Sequence, residues 1–372
     1  MPDLKIAFDP QVFLLQEYGG ISRYFCCLAR QLALMPGIEP RVFAPLHFNR
    51  SLGALPAGPG RGLLLPPVPT KLFRIVSAAS TQAARLQIRA FRPDIIHETY
   101  FTFENFLPRS AKRVVTVYDM IFERFAAMIE HGDRTAAPKR AAVMRADHVI
   151  CISENTRRDL IEITGVPESR TSVVHLAADE TFFRRGDSAK SSARMQRPYL
   201  LFVGGRQGYK NFSAFLRAFS SSAYLRKNFS VVCFGGGQLT DRELAEATEL
   251  ALDPGQLLHR SGDDQALADC YRQAEALVYP SLYEGFGIPP LEAMACSCPV
   301  ICSRTSSLPE VVGDAGEYFD PRNEEDMMAT IERVLQSEDR RKDLIARGLV
   351  HCSRFSWKKC AEETTAIYKK LL

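Results

Sequence analysis

Apolar residues along this chain fall into two series of short runs separated by helix-length stretches. In the first series Lys5–Asp9, Arg41–Ala44, Asp94–His97, Arg113–Val117, Val149–Ser153 and Ser172–His175 read as strands. The second series reads as Tyr199–Val203, Ser230–Phe234, Gln256–Arg260, Ala276–Tyr279, Val300–Cys302 and Glu317–Phe319. Between runs the period lengthens: Gly20–Leu34 puts Ile21, Tyr24, Phe25, Leu28 and Leu32 on one helical face. Strands alternating with helices predict an α/β chain, each half a parallel sheet with helices on both faces. Residues 51–70 are rich in Gly and Pro and read as a loop, and Lys71 to Phe91 as a basic amphipathic helix. Arg184 to Pro198 is polar and reads as a linker, and Trp357 to Leu372 as a final helix. Two similar halves around a linker predict two facing doubly wound domains with a cleft between them.

Composition narrows the class. At 372 residues the chain is long for a single core, and its 46% hydrophobic and 24% charged content is ordinary for a soluble globular protein. No apolar run reaches the roughly 18 residues of a spanning helix. The N-terminus enters a strand at once, without a signal-peptide pattern. Ten cysteines raise the question of disulfides or a metal. Cys26, Cys27, Cys151, Cys233 and Cys302 lie in apolar runs, where cysteine behaves as a small hydrophobe. Cys296, Cys298 and Cys302 lack zinc-ribbon spacing and histidine partners. Reduced thiols and no export signal predict the cytoplasm. The net charge of +4 is uneven: residues 40–93 carry eight basic and no acidic residues. Such a surface suits anionic lipid or a lipid-pyrophosphate acceptor. A nucleic-acid site is not expected, since no recognised motif or aromatic-interleaved basic run accompanies the charge.

The chemistry concentrates in Ser281-Leu282-Tyr283-Glu284-Gly285-Phe286-Gly287-Ile288-Pro289-Pro290-Leu291-Glu292-Ala293-Met294-Ala295. The preceding Ala276–Tyr279 run ends at Pro280, and Pro289 and Pro290 suit the first turn of the helix that follows. Glu284 is thereby placed on a loop at the carboxyl end of a strand and Glu292 on the next helix, the edge where open α/β sheets bind ligands. A glycosidase pair fits poorly: its carboxyls sit roughly 5 to 9.5 Å apart, whereas eight residues of helix span about 12 Å. The glycine loop instead offers backbone donors to an oxygen-rich ligand such as a phosphorylated sugar. Further back, Arg206 and Lys210 follow a strand and the Gly204-Gly205 turn, where they can place two cations on a diphosphate. Gly19 and Gly20 precede a helix N-terminus, which favours anions.

The 281–295 segment resembles the E-x7-E signature of the retaining, GT-B-fold glycosyltransferases of family 4. Other segments agree in order: Tyr18-Gly19-Gly20-Ile21-Ser22-Arg23-Tyr24-Phe25, Val115-Thr116-Val117-Tyr118-Asp119-Met120, Ala146 to Thr156, Phe202-Val203-Gly204-Gly205-Arg206 with Lys210-Asn211, and Phe234-Gly235-Gly236-Gly237. The resemblance covers nearly the whole chain. It implies two facing Rossmann-like domains: residues 1–185 on the acceptor side, 186–355 binding the nucleotide-sugar, and 356–372 as a helix crossing back to the first domain. It implies a retaining hexosyltransferase of cell-surface polysaccharide or lipopolysaccharide synthesis, with GDP-mannose as leading donor and a UDP-sugar as alternative. The acceptor would be a glycan or a lipid-pyrophosphate-linked glycan, and no cofactor is implied. Asp263-Asp264 is not the Asp-x-Asp motif of the other major glycosyltransferase fold, so metal independence is expected.

Carried onto this sequence, the resemblance gives Glu284, Arg206, Lys210 and Asp119 as the catalytic set. Glu284 would contact the sugar ring, the backbone N–H groups of Phe286, Gly287 and Ile288 the sugar hydroxyls, and Glu292 the ribose. Gly19 and Gly20 would serve the diphosphate or the acceptor. Relatives often have His where Tyr118 stands; a phenol lacks near-neutral proton chemistry, so Tyr118 is read as a hydrogen-bonding wall. His97 is read as a satisfied core residue. The Arg-to-Lys spacing, often five in the family, is four here. Same-face substitution is favoured over covalent attack by a carboxylate. A nucleotide-sugar epimerase and a non-catalytic sugar-nucleotide-binding protein are the other classes; intact Glu284, Glu292, Arg206 and Lys210 count against the second. Lys71, Arg74, Arg85 and Arg89 are expected to meet an anionic membrane, placing the protein in the cytoplasm or peripherally on the cytoplasmic face of the inner membrane.

Overall fold

The structure, a computed structural model, describes residues 3–52, 62–103, 108, 110–126, 135–184 and 197–372. Most of the predicted linker, residues 185–196, and part of the Gly/Pro-rich loop, residues 53–61, therefore lie outside the described residues. Two compact units emerge: one contains the described residues up to 126, 135–176 and Trp357–Leu372; the other contains Ala177–Ser356.

In the first unit the strands are β1 (Leu4–Phe8), β2 (Ile38–Val42), β3 (Leu46–His47), β4 (Leu63–Leu64), β5 (Ile95–Glu98), β6 (Lys112–Val117), β7 (His148–Cys151) and β8 (Thr171–Val173). β3 and β4 pair with each other; the rest form one sheet in the order β2-β1-β5-β6-β7-β8, with every pair parallel. β2 starts three residues before the predicted run and contains Pro40. An edge strand tolerates a missing N–H, and β2 is the edge. The helix Gly20–Ala33 buries Tyr24, Phe25, Leu28 and Leu32, as its periodicity predicts. The final helix, Trp357–Leu371, packs on it, with the Trp357 and Tyr24 rings 6.1 Å apart. Tyr368 from the same helix meets His97, 2.6 Å from hydroxyl to Nδ1, and Thr116 Oγ1 lies 2.8 Å from His97 Nε2. Burial pushes the His97 imidazole down to about 3, so it stays neutral, a satisfied core histidine.

The second unit holds β9 (Tyr199–Val203), β10 (Ser230–Phe234), β11 (Leu257–Arg260), β12 (Ala276–Tyr279), β13 (Val300–Ser303) and β14 (Gly316–Phe319). Their order is β11-β10-β9-β12-β13-β14, again all parallel. Phe202, Phe212, Phe215 and Phe219 anchor one core cluster of this unit; removing any one ring costs about 3–5 kcal/mol by the usual cavity penalty. Both sheets are Rossmann-like, and in each the direction of strand addition reverses once. The reversal lies between β1 and β5 in the first unit and between β9 and β12 in the second. At such a point the loops leaving two adjacent strands diverge, opening a crevice at their carboxyl ends.

Candidate functional site

In the second unit the segments singled out by sequence leave the two strands at the reversal. β9 runs into Gly204-Gly205-Arg206 and a short turn, Gly208–Lys210; β12 runs into Pro280 and the loop carrying Glu284. The two loops are tied together: the Leu282 N–H donates to the Tyr209 carbonyl at 2.7 Å. Lys210 Nζ donates to Glu284 Oε1 at 2.8 Å, and both side chains are largely buried. The ammonium lies 5.2 Å from the Tyr209 ring centroid and 5.7 Å from that of Tyr279. Burial alone would push Lys210 down. The Glu284 carboxylate, then Tyr279 and Tyr209, outweigh it and raise the ammonium well above its ordinary value. Lys210 is therefore a fixed cation at this edge.

Three residues outside the predicted set hold that pair in place. Asn211 sits in the left-handed region (φ 60°) and donates to the carbonyls of Pro280 at 3.2 Å and Pro321 at 2.8 Å. Ser306, also left-handed (φ 53°), accepts the Glu284 N–H at 2.9 Å. The Ser307 hydroxyl reaches the carbonyls of Glu284 at 2.9 Å and Phe286 at 2.8 Å. Strained residues persist where surrounding structure over-determines them, a habit of functional sites. Gly287 caps the helix Ile288–Ala295 at φ 107°, and a Cβ there would come within 2.9 Å of Leu308, so only glycine fits. Pro289 and Pro290 bring no N–H to the first turn, so backbone donation here falls to its flanks.

Arg206 departs from its expected role. Its side chain is only 2% exposed and reaches into the loop after β10. Nε donates to Glu243 Oε1 at 2.6 Å, Nη1 to the Gly235 carbonyl at 2.9 Å, and Nη2 to the carbonyls of Gly237 at 3.0 Å and Gln238 at 2.8 Å. A guanidinium has five N–H groups, and these contacts use every nitrogen. Gly235, Gly236 and Gly237 all have positive φ, and a Cβ on Gly236 would meet the Gly204 carbonyl at 2.5 Å. Arg206 is thus a brace that shapes the second glycine loop. Glu243 closes the brace: it also forms a capping box with Thr240 on the helix Asp241–Glu249. The four-residue spacing gave a hint, since the position five before Lys210 is Gly205.

Glu292 is buried on the helix Ile288–Ala295 and accepts a hydrogen bond from the Tyr271 hydroxyl at 3.0 Å. Asp263 caps the helix Asp264–Gln273 through the Ala266 N–H.

In the first unit Tyr118 and Asp119 leave β6. Tyr118 is buried, and its hydroxyl donates inward to the Thr99 carbonyl at 3.5 Å rather than forming an outward wall. Burial, then nearby Tyr24 and Asp9, raise its phenol well above the ordinary value, so it has no base chemistry near neutrality. Asp119 is partly exposed and accepts the Ile121 N–H at 3.0 Å. Lys139, buried and absent from the sequence reading, donates to the Asp119 carbonyl at 2.9 Å and to Glu123 Oε2 at 2.9 Å. Asp9, at the end of β1, is fully buried and accepts from Thr99 N at 3.1 Å, Thr99 Oγ1 at 2.5 Å and Gln11 N at 3.2 Å. Burial, then the Glu98 charge, pushes its carboxyl up to about 7. Gly19 and Gly20 open the helix Gly20–Ala33, but the Gln16 side chain already accepts the Ser22 N–H at 3.1 Å. One of the donors expected to meet an anion is therefore used.

The helix Thr70–Phe91 turns Ser80, Ala84, Ile88 and Phe91 inward. Lys71, Arg74 and Arg89 are exposed alongside Leu72, Ile75 and Leu86, while Arg85 is half-buried. Among the described residues no helix is long and apolar enough to cross a membrane.

Comparison with known proteins agrees with this geometry. Residues 18–182 match the family model "Glycosyltransferase Family 4" and residues 183–350 match "Glycosyl transferases group 1". The chain is 30% identical over 295 residues to the O-antigen chain mannosyltransferase B of Escherichia coli, covering 76% of each. Among solved structures it is similar to sucrose-phosphate synthase from Thermosynechococcus elongatus, with a TM-score of 0.78 at 19% identity over 99% of this chain and 98% of that one. It is also similar to Anabaena HepE in complex with UDP-glucose, with a TM-score of 0.73 at 16% identity over 98% and 99% of the two chains.

Proposed function

Because the chain belongs to the family 4, GT-B-fold glycosyltransferases, we propose that it moves mannose from GDP-mannose onto a glycan or lipid-pyrophosphate-linked acceptor, with retention at the anomeric carbon. The chain is a glycosyltransferase of the polysaccharide-synthesis kind. Its relation to an O-antigen mannosyltransferase supports mannose, and a fold neighbour holding UDP-glucose supports a nucleotide-sugar. The observation that carries the reading is the Lys210–Glu284 pair at the carboxyl edge of β9 and β12. The bond between the anomeric carbon and the diphosphate oxygen breaks as the acceptor oxygen bonds to that carbon from the same face. The acceptor proton passes to the departing phosphate oxygen. Lys210 stabilises the growing diphosphate charge, Glu284 holds Lys210 and the oxocarbenium-like sugar, and backbone N–H groups around Phe286, Gly287 and Ile288 meet sugar hydroxyls. Glu292 takes the ribose. Asp119, on the first unit, serves the acceptor side. The reaction draws on no divalent metal, so activity is expected to survive excess chelator. The exposed basic face of Thr70–Phe91 supports peripheral binding to the cytoplasmic face of an anionic membrane.

The test is GDP release and sugar incorporation with GDP-mannose and a lipid-linked glycan fraction. Both are expected, each dependent on acceptor, and the new linkage should keep the donor's anomeric configuration by proton NMR. Conversion of the nucleotide-sugar without acceptor would identify an epimerase, and an inverted linkage would overturn retention. A UDP-hexose replacing GDP-mannose as the better donor would shift the donor assignment alone.

A further inference from the structure

Glu292 is hydrogen-bonded to a residue twenty-one positions earlier. The helix Asp264–Gln273 connects β11 to β12 and carries Tyr271 inward, with no exposed surface. Its hydroxyl donates to Glu292 Oε2 at 3.0 Å, both groups being buried. The ring is itself held: Phe182 packs against it edge-on with centroids 6.0 Å apart, and the Phe182 carbonyl accepts from Cys296 Sγ at 3.4 Å. Burial, then the Glu292 charge, pushes the phenol well above its ordinary value. The phenol therefore stays protonated and donates to the carboxylate. A phenylalanine would fill this space without the hydroxyl. A hydroxyl donated to a buried carboxylate is a charge-assisted bond, and it fixes where the remaining lone pairs point.

We propose that Tyr271 is a positioning residue that aims the Glu292 carboxylate at the ribose hydroxyls of the nucleotide donor, and so sets the preference for ribonucleotide over deoxyribonucleotide sugars. The inference rests on the reading of Glu292 as the ribose ligand. A carboxylate held in one orientation can accept from two neighbouring hydroxyls at once, whereas a swinging one pays for its own ordering on binding. A site built to receive a hydroxyl rejects the analogue that lacks it, because a buried group is then left unpaired.

The experiment is calorimetric titration of the full chain with GDP, 2′-deoxy-GDP and 3′-deoxy-GDP, for wild type, Tyr271→Phe and Glu292→Gln. Wild type is expected to prefer GDP over at least one deoxy analogue by roughly tenfold or more. Tyr271→Phe should lose most of that ratio by weakening GDP alone, with deoxy-analogue affinity close to wild type and a melting temperature lowered by several degrees. Retention of the wild-type ratio in Tyr271→Phe, while Glu292→Gln loses it, overturns the inference and leaves Glu292 as the ribose ligand. A flat ratio in wild type, or an unchanged one in Glu292→Gln, removes the Glu292 reading and the inference with it. Equal weakening of all three nucleotides in Tyr271→Phe makes Tyr271 a packing residue and also overturns the inference.

Discussion

Replacing Arg206 by alanine separates bracing from catalysis. The substitution strips the guanidinium from Glu243, 2.6 Å away, and from the carbonyls of Gly235, Gly237 and Gln238. Breaking a buried pair by removing one partner costs about 3–5 kcal/mol. Glu243 keeps some access to water, with 14% of its side chain exposed, which favours the lower end. At 2–4 °C per kcal/mol for a unit of this size, a 3 kcal/mol loss lowers the melting temperature by roughly 6–12 °C. Scanning calorimetry reads that shift, and steady-state kinetics on the same samples read KM and kcat. If Arg206 acts through the glycine loop, Glu243→Ala should reproduce both the thermal and the kinetic loss, and the double variant should fall well short of the sum. Arg206→Lys keeps the charge but not the fork and should lie between. An Arg206→Ala protein that melts like wild type while losing kcat several-hundredfold, with Glu243→Ala active, would return Arg206 to the reacting diphosphate.

Other substitutions reach different parts of the molecule. Lys210→Ala should lower kcat by about 10²–10³ with a smaller change in KM, since leaving-group charge peaks in the transition state; an effect confined to KM would remove Lys210 from the chemistry. Replacing Lys71, Arg74, Arg85 and Arg89 with Gln should abolish salt-sensitive co-sedimentation with anionic liposomes, each charge near such a surface being worth on the order of 1 kcal/mol; equal sedimentation of wild type and variant contradicts the membrane reading. His97 is held down to about 3 in the folded protein, against about 6.5 unfolded. The unfolded chain therefore takes up the proton first, and the stability present above pH 6.5 is lost as pH falls towards 3. By pH 4.5 the loss is on the order of 3 kcal/mol. Denaturant midpoints of wild type and His97→Gln should converge over that range; parallel pH profiles would show that His97 does not set the acid limb.

Most of the architecture was legible because the strands are buried and parallel. β9, β10 and β12 have the bounds predicted for them, and each ends at a Gly or a Pro. β2 starts three residues ahead of its predicted run and includes Pro40, which a sheet edge tolerates. The motifs placed Glu284 and Lys210 each on a loop that follows a strand; that the two side chains pair is seen only in the structure. The direction of Arg206 was not legible either, because Glu243 sits thirty-seven residues further on and competes for the guanidinium. Ser306, Ser307, Lys139 and Tyr271 were missed for the same reason. Each acts on a residue far away in sequence, with no local periodicity or motif to mark it. Tyr118 looked like a site residue from its place at a strand end, but its neighbours Tyr24 and Phe101 draw it into the core.

The most direct test of the donor site is a crystal structure of this protein with GDP-mannose bound. The diphosphate should lie within hydrogen-bond distance of Lys210 Nζ, the hexose against residues 284–288 and the ribose on Glu292. A donor held elsewhere, with Lys210 and Glu284 still paired to each other and touching no part of it, would contradict the account.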